Sequence, residues 1–279
     1  MASVSDLLTL SNQLKSISDS PQLDCELLLC QVLGVDRTWL RTWPENQVTL
    51  DNQQKYKALI ALRLQGKPIA YLTGSRGFWT MDLHVSEDTL IPRPETELLV
   101  DLALGINLPK QSLALDLGTG TGAIALALAS ERSDIHVTAV DSQAGAVTLA
   151  KTNCQHYKLT NVVIFQSNWF DAIDAKTSTF DLIVSNPPYI AQQDPHLTQG
   201  DVRFEPLSAL VSGIDGLDDL RIIVSNSPCF LNPDGWLLLE HGYNQGGAVR
   251  DLMAAAGFSS LATHQDYNHQ DRVTLGQWK

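Results

Sequence analysis

The chain has 279 residues, of which 44% are hydrophobic and 18% charged, a composition typical of a folded globular protein rather than a disordered one. Its 31 acidic and 19 basic residues give a net charge of −12, which disfavours a partner held by its phosphate backbone, so direct nucleic-acid binding is not expected. No signal peptide or membrane-spanning run is predicted, and four cysteines without metal-ligand spacing indicate a reduced, cytoplasmic protein with neither a metal site nor a disulfide framework.

The first 68 residues are predicted to form a small helical bundle. Apolar residues recur at helical spacing over 4–17, a second helix is predicted over 25–33, and a third over 51–66. The last two end at a glycine, the residue that most readily closes a helix. This part carries no cofactor motif, which favours a binding role for residues 1–68 over a part in the chemistry.

Over 69–94 the pattern changes to glycine-punctuated segments, which favour short strands and predict a β-hairpin linking two domains. From residue 95 to 279, strand-like and helix-like segments alternate, which predicts an α/β domain with a parallel sheet covered by helices on both faces. Ligands of such sheets bind at the carboxyl ends of the strands. The predicted strands are 113–117, 136–140, 162–166, 182–185, 236–240 and 272–275, and the predicted helices include 122–129, 144–156, 217–230 and 245–256.

A glycine-rich loop follows the first predicted strand of the α/β domain and precedes an alanine-rich helix. Its predicted ligand-contacting residues are Asp116, Gly118, Thr119, Gly120, Thr121 and Gly122. Glycines let the backbone turn tightly and approach a ligand, and a helix N-terminus supplies unpaired N–H groups. The spacing also satisfies a dinucleotide fingerprint, but the Asp116 carboxylate would repel a pyrophosphate and suits the ammonium group of S-adenosylmethionine. The loop therefore favours a methyl donor over NAD, with a ligand-free turn as the plain alternative.

Polar residues also end the next two predicted strands. Asp141 is placed to accept hydrogen bonds from both hydroxyls of a ribose, although it is equally suited to capping the helix that follows. The amide of Asn168 can exchange hydrogen bonds with an adenine edge, and Trp169 offers a flat face to the ring. Packing in the core is at least as good an interpretation of Trp169 taken alone.

The most specific signal is the sequence Asn186-Pro187-Pro188-Tyr189 after the fourth predicted strand. Two consecutive prolines remove two backbone donors, so only carbonyls are left to form main-chain hydrogen bonds there. With the oxygen of the asparagine side chain they form a pocket of acceptors, which suits an NH₂ group. Tyr189 can cover the planar face of a conjugated amide or amine; the plain alternative is a rigid turn with a buried tyrosine.

Taken together, the glycine loop and Asn186–Tyr189 resemble the class I methyltransferases that modify planar NH₂ groups. The segments at 66–74, 90–97, 203–206, 239–242 and 271–274 are similar to those of the release-factor glutamine methyltransferase family, over nearly the whole chain from about residue 20. One departure is Asn168, which stands where the family commonly has an acidic residue. Asparagine keeps an acceptor oxygen, so we expect cofactor binding to survive.

The resemblance implies a Rossmann-like domain with a mostly parallel seven-stranded sheet, preceded by the helical bundle and the hairpin linker. It implies methyl transfer from S-adenosyl-L-methionine to the glutamine side-chain nitrogen in the Gly-Gly-Gln motif of class 1 peptide chain release factors, and so a role in translation termination. Asn186, Pro187 and Tyr189 are then the catalytic residues, joined by Pro188 in binding the substrate, and Asn186 also contacts the cofactor.

Three alternatives are weighed against this interpretation. Methylation of adenine in nucleic acid would need phosphate contacts, for which the chain offers no Lys/Arg-rich segment. An NAD-dependent oxidoreductase would use the dinucleotide fingerprint but leave Asn186–Tyr189 without a role. A non-enzymatic binding module is a reasonable interpretation of residues 1–68 alone.

Overall fold

Helices form the N-terminal part of the protein in the computed structural model, which describes residues 2–279. The predicted helix over 4–17 is a short α-helix that continues as a 3₁₀ helix over Thr9–Leu14. A helix after Asp36 was not predicted; the Asp36 side chain caps it by accepting from the Trp39 N–H. The helices are α1 (Val4–Leu8), α2 (Pro21–Leu33), α3 (Arg37–Thr42), α4 (Leu50–Leu64) and α5 (Ile69–Thr73).

Helix α5 corrects the prediction of extended structure from residue 69. Pro68 stands at its N-terminal boundary, and Gly74 closes it in the left-handed conformation with φ of 76°. Glycine adopts this conformation without the steric cost that a β-carbon brings. The hairpin is therefore shorter than predicted and consists of β1 (Ser75–Phe78) and β2 (Met81–His84).

The chain divides into two compact units. The first comprises residues up to 75 together with 198–204, and the second comprises 76–197 and 205–279. The second unit thus begins at Arg76, whereas the sequence predicted a linker up to residue 94. The reason is that alternate residues of the hairpin are apolar, and Phe78, Met81 and Leu83 are buried in the core of the α/β domain.

A buried arginine joins segment 198–204 to the helices of the first unit. The Arg63 guanidinium donates from Nε to Asp24 Oδ2 at 2.8 Å and from Nη1 to Asp201 Oδ1 at 3.1 Å. Nearby, Arg203 Nη2 donates to the Gln65 carbonyl at 3.2 Å and lies so close to Gly66 that a β-carbon there would be 1.8 Å away. Buried charge is stable only when paired, so these contacts fix the segment within the unit.

The second unit is an α/β fold, as predicted. After the hairpin come α6 (Glu97–Gly105), β3 (Leu113–Leu117), α7 (Ala123–Glu131), β4 (His136–Asp141), α8 (Ala144–His156), β5 (Val162–Gln166), β6 (Phe180–Ser185), α9 (Asp218–Asn226), β7 (Leu231–Glu240), α10 (Gly246–Ala255), β8 (Ser259–Gln265) and β9 (Asp271–Gln277). They form a seven-stranded sheet of order β5-β4-β3-β6-β7-β9-β8. The first five strands in this order are parallel, and β9 runs antiparallel to both neighbours.

Two apolar cores lie in the second unit. Helix α7 is buried on every side from Ala123 to Ala129, which explains why its sequence is apolar all round rather than amphipathic. Strand β8 was not predicted, because it is an edge strand with no buried residue and no alternation of apolar residues. Among the helices within residues 2–279, none combines the length and apolar character needed to cross a lipid bilayer.

Candidate active site

A cleft opens at the carboxyl ends of β3, β4, β5 and β6, within the second unit. This is where ligands bind in sheets of this type, close to the point where strand order reverses between β3 and β6. The predicted site residues that line it are Gly118, Thr119, Gly120, Thr121, Asp141, Asn168, Trp169, Asn186 and Pro188. Four other predicted residues, Asp116, Gly122, Pro187 and Tyr189, are not among the residues that line it.

The glycine loop, residues 118–122, is held by hydrogen bonds to the neighbouring strand. The N–H groups of Gly118 and Thr119 both donate to the Val140 carbonyl at 2.9 Å. Gly118, Gly120 and Gly122 all have positive φ angles, of 72°, 57° and 88°. A β-carbon on Gly120 would meet no atom within 4 Å, so its backbone is open to a ligand in the cleft.

Asp116 lies fully buried beneath this loop. Its Oδ2 accepts from the Thr119 hydroxyl at 2.6 Å and from the Ala125 N–H in the first turn of α7 at 3.2 Å. Burial raises the pKa of this carboxyl to about 7, and its Oδ1 has no hydrogen-bond partner among residues 2–279. Asp116 therefore shapes the loop and the start of α7, while its contact with an ammonium group stays a prediction.

Asp141 ends β4 and faces the cleft. Its Oδ2 accepts from the Gly120 N–H at 2.9 Å, and its Oδ1 accepts from the Gln143 N–H at 2.9 Å. Burial raises the pKa of this carboxyl, and these backbone hydrogen bonds oppose the rise. A carboxylate has about four acceptor positions, so two remain for the hydroxyls of a ribose.

The loop after β5 supplies one wall of the cleft. The Trp169 backbone has a positive φ of 49°, and its ring packs over Gly118, where a β-carbon would lie 3.3 Å from the ring edge. Its Nε1 donates to Asp219 Oδ1 at 3.2 Å. Asn168 is exposed and donates from Nδ2 to Asp171 Oδ2 at 3.1 Å. Trp169 thus combines core packing with lining of the cleft, so the two predicted roles are compatible.

The Asn-Pro-Pro-Tyr loop, residues 186–189, begins directly after β6. Asn186 Nδ2 donates to the Thr96 hydroxyl at 3.0 Å, which orients the side chain and leaves Oδ1 as the end that can accept from a ligand. No donor within residues 2–279 bonds to the Pro187 carbonyl, and neither Pro187 nor Pro188 has a backbone N–H. The loop therefore presents two acceptors and, at its prolines, no backbone donor.

Tyr189 is turned away from the cleft lining. Its hydroxyl donates to Glu240 Oε1 at 3.2 Å, and its backbone carbonyl accepts from Gln245 Nε2 at 3.0 Å. The predicted stacking of this ring on a planar amide stays a prediction.

Several cleft residues were not singled out from the sequence. Arg93 lines the cleft, and its Nη2 donates to both oxygens of the buried Glu205, at 2.8 and 2.7 Å. Thr96 and Asp219 also line it. For Arg93, Thr96 and Glu205 the sequence signal was limited to the segments at 90–97 and 203–206, which supported the resemblance but did not reveal these contacts, and Asp219 lies in neither segment.

Comparison with known proteins finds matching family models and similar sequences. Two family models match, "PrmC N-terminal domain" over residues 7–74 and "Methyltransferase small domain" over residues 95–202. The chain is 52% identical to a release factor glutamine methyltransferase of Pseudomonas aeruginosa, with 94% of each chain covered. It is also 52% identical to one of Salmonella typhimurium, over 96% of this chain and 95% of the other.

Solved structures agree on the fold. A methyltransferase from Pyrococcus furiosus superposes with a TM-score of 0.54 at 19% identity, over 78% of this chain and 96% of that one. With the sequence relatives, this confirms the predicted class I methyltransferase fold and favours glutamine over adenine methylation. The chain belongs to the release factor glutamine methyltransferase family.

Proposed function

We propose that this protein transfers the methyl group of S-adenosyl-L-methionine to the side-chain amide nitrogen of the glutamine in the Gly-Gly-Gln motif of class 1 peptide chain release factors. The observation that carries the proposal is the Asn-Pro-Pro-Tyr loop, whose Asn186 and Pro188 line a cleft that also contains the glycine loop and Asp141, and whose Pro187 carbonyl accepts no hydrogen bond from residues 2–279. The names of the relatives support the choice of substrate.

The residues of the cleft fit S-adenosylmethionine. Asp141 has acceptors to spare for the ribose hydroxyls, and the open face of Gly120 allows the backbone to approach the ligand. Ile124, Ala146 and Trp169 supply apolar surface for an adenine ring. When bound, this group supplies an electrophilic methyl on a sulfonium centre.

Asn186 and Pro187 would act on the nucleophile. An amide nitrogen is a poor nucleophile because its lone pair is delocalised into the carbonyl group. The Asn186 Oδ1 and the Pro187 carbonyl can each accept a hydrogen bond from one N–H of the substrate amide. The lone pair of the amide nitrogen is then aimed at the methyl group. This is catalysis mainly by proximity and orientation, and it needs no base before attack. The amide nitrogen gains the methyl group as the bond from that group to sulfur breaks, and the amide proton, acidified by methylation, is then lost to water.

The proposal is tested by methyl incorporation from labelled S-adenosylmethionine. We expect label in an intact class 1 release factor, and none in a release factor whose motif reads Gly-Gly-Glu, because the accepting amide is then missing. DNA is tested as an alternative methyl acceptor in the same transfer assay. NAD is compared with S-adenosylmethionine as a ligand in a thermal-shift assay. Label in adenine, or label that survives the glutamine replacement, would contradict the proposal.

We further propose that residues 1–68 recognise the protein substrate. Trp43 is 52% exposed and Leu50 is 66% exposed, both in the first unit, and large exposed apolar side chains commonly mark binding surfaces. Replacing both with serine in the full chain is expected to lower kcat/KM for intact release factor about tenfold. The rate with a short Gly-Gly-Gln peptide should not change, since such a peptide is too small to reach this surface.

The matched control for that variant is Val163→Ser, which removes a 63% exposed apolar side chain from β5 in the second unit. Steady-state kinetics with both substrates decides the matter. A parallel loss for peptide and intact release factor, or an equal loss in the control, would refute recognition by the first unit.

A further inference from the structure

A buried carboxylate lies directly behind the Asn-Pro-Pro-Tyr loop and has no part in the chemistry described so far. Glu240 is the last residue of β7 and is 1% exposed. Because β7 pairs with β6 in parallel, with Ser185 opposite Leu239, the end of β7 lies beside the start of the loop. This register brings Glu240 next to the residues that hold the substrate amide.

A tyrosine hydroxyl group is hydrogen-bonded to Glu240. Tyr189 donates to its Oε1 at 3.2 Å. Burial raises the pKa of the Glu240 carboxyl to about 7, while hydrogen bonding from Thr96 and Tyr189 and the charge of Arg272 oppose that rise. Its Oε2 is buried without a hydrogen-bond partner among residues 2–279, so the carboxylate has acceptor capacity to spare for the Thr96 hydroxyl.

Thr96 connects this carboxylate to the reacting groups. Its Oγ1 accepts from Asn186 Nδ2 at 3.0 Å, so its own proton is available to another acceptor, and the unpartnered Oε2 of Glu240 at the neighbouring strand end is the acceptor we assign to it. When that proton is directed to Glu240, the lone pairs of Oγ1 face Asn186. The amide of Asn186 is then held with nitrogen toward Thr96 and oxygen toward the cleft, rather than flipped.

We propose that Glu240 is a positioning residue for methyl transfer, which sets the orientation of Asn186 through Thr96 and that of Tyr189 directly. The inference rests on the proposed function and adds a residue on a separate strand to it. Removing a buried polar group is costly when its partners are left unsatisfied, so a change at Glu240 is expected to disturb the groups bonded to it.

The test uses the full chain, a Gly-Gly-Gln peptide and S-adenosylmethionine. In Glu240→Gln we expect kcat to fall about tenfold, with the Kd for S-adenosylmethionine unchanged. Tyr189→Phe should lower kcat by a similar factor, and the double variant should be no slower than the slower single one, because both changes act on the same hydrogen bond, which Tyr189→Phe removes and Glu240→Gln deprives of its charged acceptor. Thr96→Val should lower kcat, and Thr96→Ser should restore it.

The matched control is Tyr157→Phe, which removes another tyrosine hydroxyl of the second unit, one that is bonded to the backbone of Asp82. A normal kcat in Glu240→Gln, multiplicative losses in the double variant, or a rise in Kd that matches the fall in kcat would overturn the positioning role. Wild-type protein that transfers no methyl group to peptide or release factor would instead refute the proposed function.

Discussion

Replacing Asn186 with alanine is expected to lower the rate of methyl transfer by about 100-fold or more, while the Kd for S-adenosylmethionine changes by less than about threefold. The variant loses the Oδ1 acceptor that holds one N–H of the substrate amide. The nitrogen lone pair is then no longer aimed at the methyl group, and orientation is the main source of rate in this reaction. The glycine loop, Asp141 and Trp169, which carry most of the other predicted cofactor contacts, are untouched.

Single-turnover kinetics, with cofactor affinity measured separately by calorimetry, gives both quantities. The matched control is Asn232→Ala, since Asn232 also donates from its side-chain amide, to Asp181 Oδ1 at 2.8 Å, but does not line the cleft. Near-normal turnover in Asn186→Ala would remove the basis for the proposed mechanism.

The second large effect is expected at Asp141. Replacement by alanine should weaken S-adenosylmethionine binding by about 1.5–3 kcal/mol, the range for hydrogen bonds to a charged group. The bonds lost are those to the ribose hydroxyls, together with the Gly120 N–H contact that holds the glycine loop in place. Methyl transfer at saturating cofactor should fall much less, because Asp141 contacts neither reacting atom.

Calorimetric titration of Asp141→Ala and of a control variant with S-adenosylmethionine measures this change in binding free energy. Asp134→Ala is the control, since Asp134 pairs with Arg132 just before β4, at the opposite end of the strand.

The structure gives less support to the competing interpretation, in which Asp141 caps the next helix. Gln143 is the N-cap of α8, and Asp141 accepts from the N–H of that residue rather than from within the helix. Unchanged affinity in Asp141→Ala would leave only this local role.

The sequence predicted those parts of the fold and of the site whose signal lies within a short stretch of the chain. Strand β3, its glycine loop and α7 follow one another within a few residues, and residue type alone dictates the turn. The Asn-Pro-Pro-Tyr loop is equally local, because two prolines restrict the backbone whatever surrounds them.

The residues that sequence did not predict act through distant partners. Thr96 lies 90 positions from Asn186, Tyr189 lies 51 from Glu240, and Arg93 lies 112 from Glu205. Their contacts depend on how the strands are ordered in the sheet, which periodicity does not reveal. Helix α5 was mistaken for extended structure because a single turn is too short to show helical spacing.

The route of the chain through its two units has a consequence for synthesis on the ribosome. The first unit needs residues 198–204, and the Asp201 partner of the buried Arg63 is made long after the helices that surround it. Domains usually fold in the order in which they emerge. Here the N-terminal helices cannot make this contact until β3 to β6 have been translated, so the first unit is completed only after synthesis of the second has begun.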